Sequence, residues 1–147
     1  PFCACFAKVE VDVETGKVRV TDIACAVDLG RAINPSLAEG QIIGSVSMGI
    51  GYALTEELIF SDDGRLLNAS LLDYKVPVSL DLPEIKALIV ESHEPSGPFG
   101  AKSVGEIAVD PIAPAIANAI YNATGVRMRE LPITPEKIIK ALQEKKA

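Results

Sequence analysis

The chain has 147 residues, a formal net charge of −6 at pH 7 and 48% hydrophobic residues. This length is typical of one domain, and the hydrophobic fraction is sufficient for a core, which excludes a largely disordered chain. The acidic balance argues against a general nucleic-acid-binding protein, because such a protein carries a basic face.

The first part of the chain predicts a β-hairpin. Residues 6–13 alternate apolar and polar side chains, which is typical of a half-buried strand. Residues 14–16 (ETG) predict a turn, and residues 17–30 continue as a second, longer strand. Because Pro1 leads directly into strand-like sequence, we expect the chain to be a piece of something larger or a small subunit of a split protein.

The cysteines and the histidine do not form a recognisable metal or catalytic set. Cys3, Cys5 and Cys25 are odd in number, and Cys3-x-Cys5 is not the C-x-x-C spacing of metal and redox sites. His93 is the single histidine, so any catalytic triad would depend on it alone. We expect three free thiols in a reducing cytoplasm, a solvated His93 and no metal site in this chain.

A long apolar helix is predicted next. Asn34 followed by Pro35 is a typical helix start. Apolar side chains at helical spacing surround most of the circumference, which indicates a buried helix. Its most apolar part, residues 42–54, is too short for a membrane span, which needs about 20 residues.

The glycines of this helix require an explanation, since each costs about 1 kcal/mol relative to alanine. Gly40 and Gly44 have the spacing of a helix-packing motif, and we expect them to mark close packing of the buried helix. We expect Gly44, Gly49 and Gly51 to pack against another backbone or a ligand.

The remaining elements predict an α+β fold. They are a second hairpin over residues 58–67 with its turn at Asp63-Gly64, a strand over 85–92, a helix over 113–124 that stops at Gly125, and a last helix from Pro135. No alternating βαβ pattern is visible, so the predicted architecture is antiparallel hairpins with a buried glycine-rich helix and two C-terminal helices.

The stretch PFGAKSVGE, residues 98–106, is the candidate functional segment. A glutamate after a glycine is commonly only a solvated turn residue. Two features favour a site at Glu106: the glycines let backbone N–H groups approach a ligand, and the residues that follow are abruptly apolar. A partly desolvated carboxylate at that point is suited to act as a base.

Four segments in this order resemble the C-terminal end of the molybdenum-binding subunit of the xanthine dehydrogenase and aldehyde oxidoreductase family, the molybdenum hydroxylases. The resemblance covers residues 6–142. The segments are VDLGRAINP (27–35), EGQIIGSVSMGIGYALTEEL (39–58), GPFGAKSVGE (97–106) and AIANAIYNATGVRMRELPITPEKI (115–138).

The resemblance implies roles for Gln41 and for the last five residues of the stretch PFGAKSVGE. Glu106 would be the catalytic base of an oxidative hydroxylation of an aldehyde or N-heterocycle, with water as the oxygen source. Gln41 would lie near the pterin. The resemblance also implies that one stretch of loop runs along the pterin: Lys102, Ser103, Val104 and Gly105.

The resemblance further implies that residues 1–147 are a C-terminal fragment or split subunit of the molybdopterin-binding domain, inactive alone. The cofactor would be molybdenum-molybdopterin, held together with the remainder of that subunit, with iron–sulfur clusters and optionally FAD on partners. Isolated, the chain should expose an apolar patch and pair with a second copy. The alternative is a non-catalytic structural or interaction module with the same fold.

Overall fold

The structure, a computed structural model, describes residues 1–146. This part of the chain folds into one three-stranded sheet and three α-helices, and the predicted α+β class is confirmed. In chain order the elements are β1 (Phe2–Val11), β2 (Val18–Asp28), α1 (Pro35–Leu54), β3 (Glu84–Val90), α2 (Ile112–Thr124) and α3 (Pro135–Lys146).

The sheet contains one antiparallel and one parallel pairing. Its strand order is β1-β2-β3. β1 and β2 form the predicted hairpin, with Cys5 opposite Cys25. β3 lies parallel to β2, with Asp22 opposite Glu84. A parallel pair needs a crossover connection, and α1 lies within it, so β2, α1 and β3 form a βαβ-like unit that the sequence pattern did not predict.

The core lies between the inner face of the sheet and the helices. α2 packs across β1, and α1 packs against α2 and β3. Burying each isoleucine or valine side chain contributes about 1.5–3 kcal/mol, so a small set of fully buried side chains accounts for much of the stability. That set includes Ile23, Val27, Ile42, Val46, Ile112, Ile116, Ile120 and Ile138.

Helix α1 begins as predicted but is buried on one side only. Asn34 is its N-cap, and the Asn34 side chain accepts a hydrogen bond from the Leu37 N–H at 3.1 Å. The opposite side exposes Leu37, Ile43, Met48 and Tyr52. Within residues 1–146 the helix is therefore buried on one side, and the rest of its apolar circumference has no covering element.

The helix glycines have different surroundings. A Cβ added at Gly49 would lie 2.5 Å from the Ile112 Cβ, so Gly49 allows α1 and α2 to approach closely. Gly51 faces Glu56 and Pro77 rather than open space. A Cβ added at Gly40 or at Gly44 would meet nothing within 4 Å, so the expected close packing of this pair does not occur within the described residues.

Residues 56–83, called the apolar segment, contain no regular helix or strand. The predicted second hairpin is reduced to one bridge between Phe60 and Leu66, although Gly64 forms the turn with φ 81°. Large apolar side chains of the segment face outward, with Leu80 94% exposed. A hairpin without a face to pack against is marginal in water, which explains the missing strands.

The two C-terminal helices follow the prediction. Gly125 ends α2 in the left-handed conformation, with φ 71°. The Lys145 ammonium near the end of α3 donates to the Thr124 carbonyl at 3.0 Å, which fastens α3 to the end of α2. No helix in residues 1–146 has the length and apolar character needed to cross a membrane.

Candidate functional site

Residues 97–106, called the glycine loop, connect the region after β3 to α2. The loop starts with a single turn of 3₁₀-helix at Pro98–Gly100, where Phe99 and Gly100 have φ of 56° and 82°. These left-handed residues reverse the chain direction sharply. A Cβ added at Gly100 would lie 2.6 Å from His93 Nδ1, so a larger residue does not fit.

The first half of the loop is bonded to the backbone that follows β2. The Arg31 N–H donates to the Gly100 carbonyl at 2.9 Å, and the Lys102 N–H donates to the Leu29 carbonyl at 2.8 Å. Between these bonds, Gly30 lies against Gly100 so closely that an added Cβ would overlap the Gly100 carbonyl oxygen. The backbone of the loop is therefore in direct contact with residues 29–31.

An ion pair reinforces this contact. The Lys102 ammonium lies 2.7 Å from Asp28 Oδ2, and the two side chains are 12% and 19% exposed. Asp28 Oδ1 also accepts from the Ser92 hydroxyl at 2.8 Å and from the Gly30 N–H at 3.1 Å. The bonds from Lys102, Ser92 and Gly30 lower the pKa of Asp28 to about 2, because all three favour the charged carboxylate.

The second half of the loop is bonded to α1. Ser45 is 4% exposed, and its hydroxyl donates to the Gly105 carbonyl at 2.9 Å. A Cβ added at Gly105 would lie 4.0 Å from Gln41 Oε1, so Gln41, one helical turn before Ser45, reaches the same part of the loop. Thus α1 brings together Gln41 and Gly105, two of the predicted cofactor residues.

Glu106 is the last residue of the loop and is exposed. Its carbonyl accepts from the Val109 N–H at 3.0 Å, which starts the turn into α2, and Ala108 is fully buried just beyond it. Within residues 1–146 the Glu106 carboxylate has no hydrogen-bond or ion-pair partner. The expected partial desolvation of Glu106 is therefore wrong for this chain, since no described residue covers it.

The loop offers hydrogen-bond donors to a ligand. In the described part of the chain, the backbone N–H groups of residues 103–106 donate to no protein acceptor. Ser103 is exposed, and a cavity of about 210 Å³ next to the loop is lined in part by Gln41, Lys102 and Val104. Free amides and a carboxamide fit a planar, hydrogen-bonding heterocycle with a phosphate group, and a pterin cofactor is of this kind.

The cysteines lie outside this region. Cys3 and Cys25 have their sulfur atoms 3.4 Å apart, and all three thiols are free. Burial and the Cys25 thiol raise the pKa of Cys3 to about 12, so this thiol is protonated and unreactive at neutral pH. In the described residues, no set of three or more His, Cys, Asp or Glu side chains could hold a metal ion.

The residues that hold the loop were not found from the sequence. Asp28, Ser45 and Ser92 fall within a predicted strand, helix and strand, and none of them was assigned a role at the loop. A serine at a core-facing position of an apolar helix was an available signal for Ser45, because a buried hydroxyl needs a partner. His93 is exposed, as predicted.

A family model and many known proteins match the chain. The model of the molybdopterin cofactor-binding domain matches residues 1–83. The xanthine dehydrogenase molybdenum-binding subunit of Escherichia coli O157:H7 is 44% identical over 138 residues, which are 93% of this chain and 18% of that protein. The aldehyde oxidoreductase molybdenum-binding subunit of Escherichia coli (strain K12) is 41% identical over 145 residues, or 97% of this chain and 20% of that protein.

Solved structures agree with these relatives. The crystal structure of quinoline 2-oxidoreductase from Pseudomonas putida 86 superposes with a TM-score of 0.86 at 39% identity, and the match covers 92% of this chain and 18% of that chain. The sequence therefore spans about a fifth of the length of the proteins it matches.

Proposed function

The chain belongs to the molybdopterin cofactor-binding domain family of the molybdenum hydroxylases, and from this membership we propose that it supplies the catalytic base and one wall of the cofactor site. The base is Glu106. The wall is the glycine loop together with the adjoining turn of α1. Because the chain spans only part of its relatives, this function belongs to a larger assembly.

The proposed reaction is the oxidative hydroxylation of an aldehyde or an N-heterocycle. This substrate range is supported by the names of the relatives, which include xanthine dehydrogenase, aldehyde oxidoreductase and quinoline 2-oxidoreductase. When bound, a molybdenum-molybdopterin cofactor supplies the two-electron oxidation, with water as the source of the oxygen. The loop residues and Gln41 of this chain would bind and orient the cofactor, and Glu106 would accept the proton.

The base role of Glu106 is supported by one observation above all: its carboxylate is unpartnered in the described chain while its backbone is fixed. The Gly105 carbonyl before it is bonded to Ser45, and its own carbonyl is bonded to the Val109 N–H. A carboxylate held in this way can accept a proton at Oε1 or Oε2 without first breaking an ion pair. General-base catalysis contributes about 10²–10⁴-fold to a rate.

The wall is supported by the free donors of the loop. We assign the N–H groups of Ser103, Val104 and Gly105 and the carboxamide of Gln41 to the pterin. Lys102 belongs to this wall through its place in the loop, since its ammonium is engaged by Asp28. Backbone amides orient a polar heterocycle with little loss of entropy because they are already fixed.

The proposed partners follow from what this chain lacks. The exposed apolar segment is suited to packing against the remainder of the molybdopterin-binding subunit. The electrons would leave through iron–sulfur clusters, and optionally FAD, on partner domains or subunits. Alone, residues 1–147 would be an inactive fragment or split subunit. We assign the assembly to the reducing cytoplasm on the basis of its three free thiols.

The test uses the chain captured from its native cells with all partners that co-purify. We expect about one molybdenum per complex by elemental mass spectrometry, together with iron and a larger partner. Glu106→Gln should lower turnover of aldehydes and N-heterocycles by about 10²–10⁴-fold with the molybdenum retained, because the amide cannot accept the proton. Glu14→Gln, in the exposed hairpin turn, is the matched control and should leave turnover unchanged.

Two results would contradict the proposal. Near-normal turnover of Glu106→Gln would remove Glu106 from the base role. A complex without molybdenum, from cells supplied with the metal, would favour the non-catalytic structural module instead.

A further inference from the structure

We propose that Asp28 and Ser45 are positioning residues that hold the glycine loop at two points and thereby fix where Glu106 stands. The proposal rests on the proposed function of Glu106 for its catalytic part. Its structural part, that the two side chains fix the loop, stands independently of that function.

The first point of attachment is the ion pair of Asp28 with Lys102. The two residues are 74 positions apart in sequence, and their charged groups are largely buried at 2.7 Å. Asp28 also binds the Ser92 hydroxyl, so one carboxylate joins the end of β2, the chain after β3 and the loop. Breaking such a pair from one side is costly, since it leaves a poorly solvated charge without a partner.

The second point of attachment is the Ser45 hydroxyl. Serines in helices commonly donate to a carbonyl of their own helix, as Ser47 does to Ile43 at 2.8 Å. Ser45 instead donates to the Gly105 carbonyl, 60 positions away. This carbonyl belongs to the peptide group that joins Gly105 to Glu106. The bond therefore fixes the orientation of the peptide plane that contains the Glu106 Cα, to which the side chain is attached.

The two attachments enclose the part of the loop that carries the free N–H groups. With Lys102 fixed on one side and Gly105 on the other, the peptide groups between them have little freedom to turn. The Lys102 charge is neutralised by Asp28, so the loop presents backbone amides and the Glu106 carboxylate rather than a cation. Catalytic groups depend on such support, and a displacement of about 1 Å can lower a rate about 10²-fold.

The experiment compares two variants with two matched controls in the captured complex. Asp28→Asn and Ser45→Ala each remove one attachment. Asp22→Asn is the control on the same strand, since Asp22 pairs with Lys8 at 3.8 Å and its side chain is half exposed. Ser47→Ala is the control on the same helix. Backbone hydrogen exchange of peptides covering residues 97–106, kcat, KM and the molybdenum content are measured for all four.

We expect both attachment variants to exchange faster over residues 97–106, by about 10-fold or more, while the controls match the unmodified complex. Their kcat should fall about 10- to 100-fold with KM within about 3-fold and molybdenum retained, because the base is misplaced but the substrate still binds. A purely structural defect would instead lower the amount of active, metal-loaded complex and leave kcat per molybdenum unchanged.

The roles of Asp28 and Lys102 are separated by a double variant. If the pair acts as one unit, Asp28→Asn combined with Lys102→Met should be no worse than Lys102→Met alone. Lys102→Arg, which keeps a charged donor, should recover most of the activity. Independent, multiplying effects of the two substitutions would mean that Lys102 acts through some other contact, and would overturn the paired attachment.

The exchange measurement separates this proposal from the proposed function. Unchanged exchange in both attachment variants overturns the positioning of the loop even where Glu106→Gln is inactive. Faster exchange with kcat equal to that of the controls overturns the catalytic part. If Glu106→Gln keeps normal turnover, the proposed function fails while faster exchange still supports the two attachments. Because the two variants are independent, one that fails to fold leaves the other decisive.

Discussion

The glycine loop and the apolar segment are both irregular, yet they are fixed in different ways. The loop is joined to β2 by a side-chain bond that spans 74 positions and to α1 by one that spans 60. The apolar segment is held mainly by bonds over shorter spans, such as Asn68 to Glu57 and Tyr74 to Glu56, and it exposes leucines. Irregular backbone can thus be positioned by a few long-range polar bonds, whereas the apolar segment lacks such bonds within residues 1–146 and leaves its large side chains exposed.

The largest expected effect on stability comes from replacing one glycine next to the glycine loop and one in the apolar segment. Gly30, against the glycine loop, and Gly64, in the apolar segment, have φ of 68° and 81°, but only Gly30 has an obstructing neighbour. Gly64→Ala should lower the free energy of unfolding by about 1–2 kcal/mol, the cost of a left-handed alanine. Gly30→Ala should lower it by about 2–5 kcal/mol, because overpacking adds about 1–3 kcal/mol.

Denaturant unfolding of the two glycine variants measures the difference. Equal losses in Gly30→Ala and Gly64→Ala would contradict the tight contact between residue 30 and the loop.

The next largest effect is expected from a substitution that loosens the apolar segment and leaves the glycine loop unchanged. Asn68 is buried, and its carboxamide accepts from the Ile59 N–H at 2.9 Å and donates to the Glu57 carbonyl at 2.6 Å. Asn68→Ala leaves both backbone groups without a partner, at about 1–3 kcal/mol. Hydrogen exchange should accelerate over residues 57–68 and stay unchanged in residues 97–106. Acceleration in both regions would show that they are coupled.

A smaller effect depends on pH and concerns the loop alone. Asp28 has its pKa lowered from 3.8 to about 2 by Lys102, Ser92 and Gly30. A lowered carboxyl pKa adds stability that is complete above the ordinary value and is lost as the pH falls towards the folded value. The thermal unfolding temperature should therefore decrease as the pH is lowered from about 4 to about 2, and this decrease should be smaller in Asp28→Asn. An identical slope in that variant would contradict the assignment.

The smallest effect on stability concerns the exposed side chains of the apolar segment. Leu80 is 94% exposed, so Leu80→Ser should change the free energy of unfolding by about 0.5 kcal/mol or less. The same substitution should lower the amount of partner that co-purifies, if the segment packs against the rest of the subunit. A full yield of partner with Leu80→Ser would indicate that this leucine stays in water in the assembly.

The sequence was sufficient wherever local rules decide the structure. The first hairpin follows from alternation, the start of α1 from Asn34 and Pro35, and the end of α2 from Gly125, and all three are confirmed. The hairpin predicted over residues 58–67 failed because its turn forms without a surface on which strands could pack. Local pattern does not contain that information.

The site was only partly predictable for a similar reason. The glycine loop was found from its composition, but its attachments depend on which distant residues the fold brings together, namely Asp28, Ser45 and Ser92. The exposure of Glu106 and of one side of α1 depends on how the whole fold is arranged, which local sequence does not give. A single sequence predicts the chemistry of a residue more readily than its neighbours.

The parallel pairing of β3 with β2 sets the order in which the parts can assemble during synthesis. β1 and β2 are neighbours in sequence, so the hairpin can form as soon as it leaves the ribosome. β3 follows only after residues 29–83, and until then one edge of β2 is open to strands of other nascent chains. The glycine loop follows β3 in the chain, so the proposed cofactor wall is expected to form only after β3 has paired with β2.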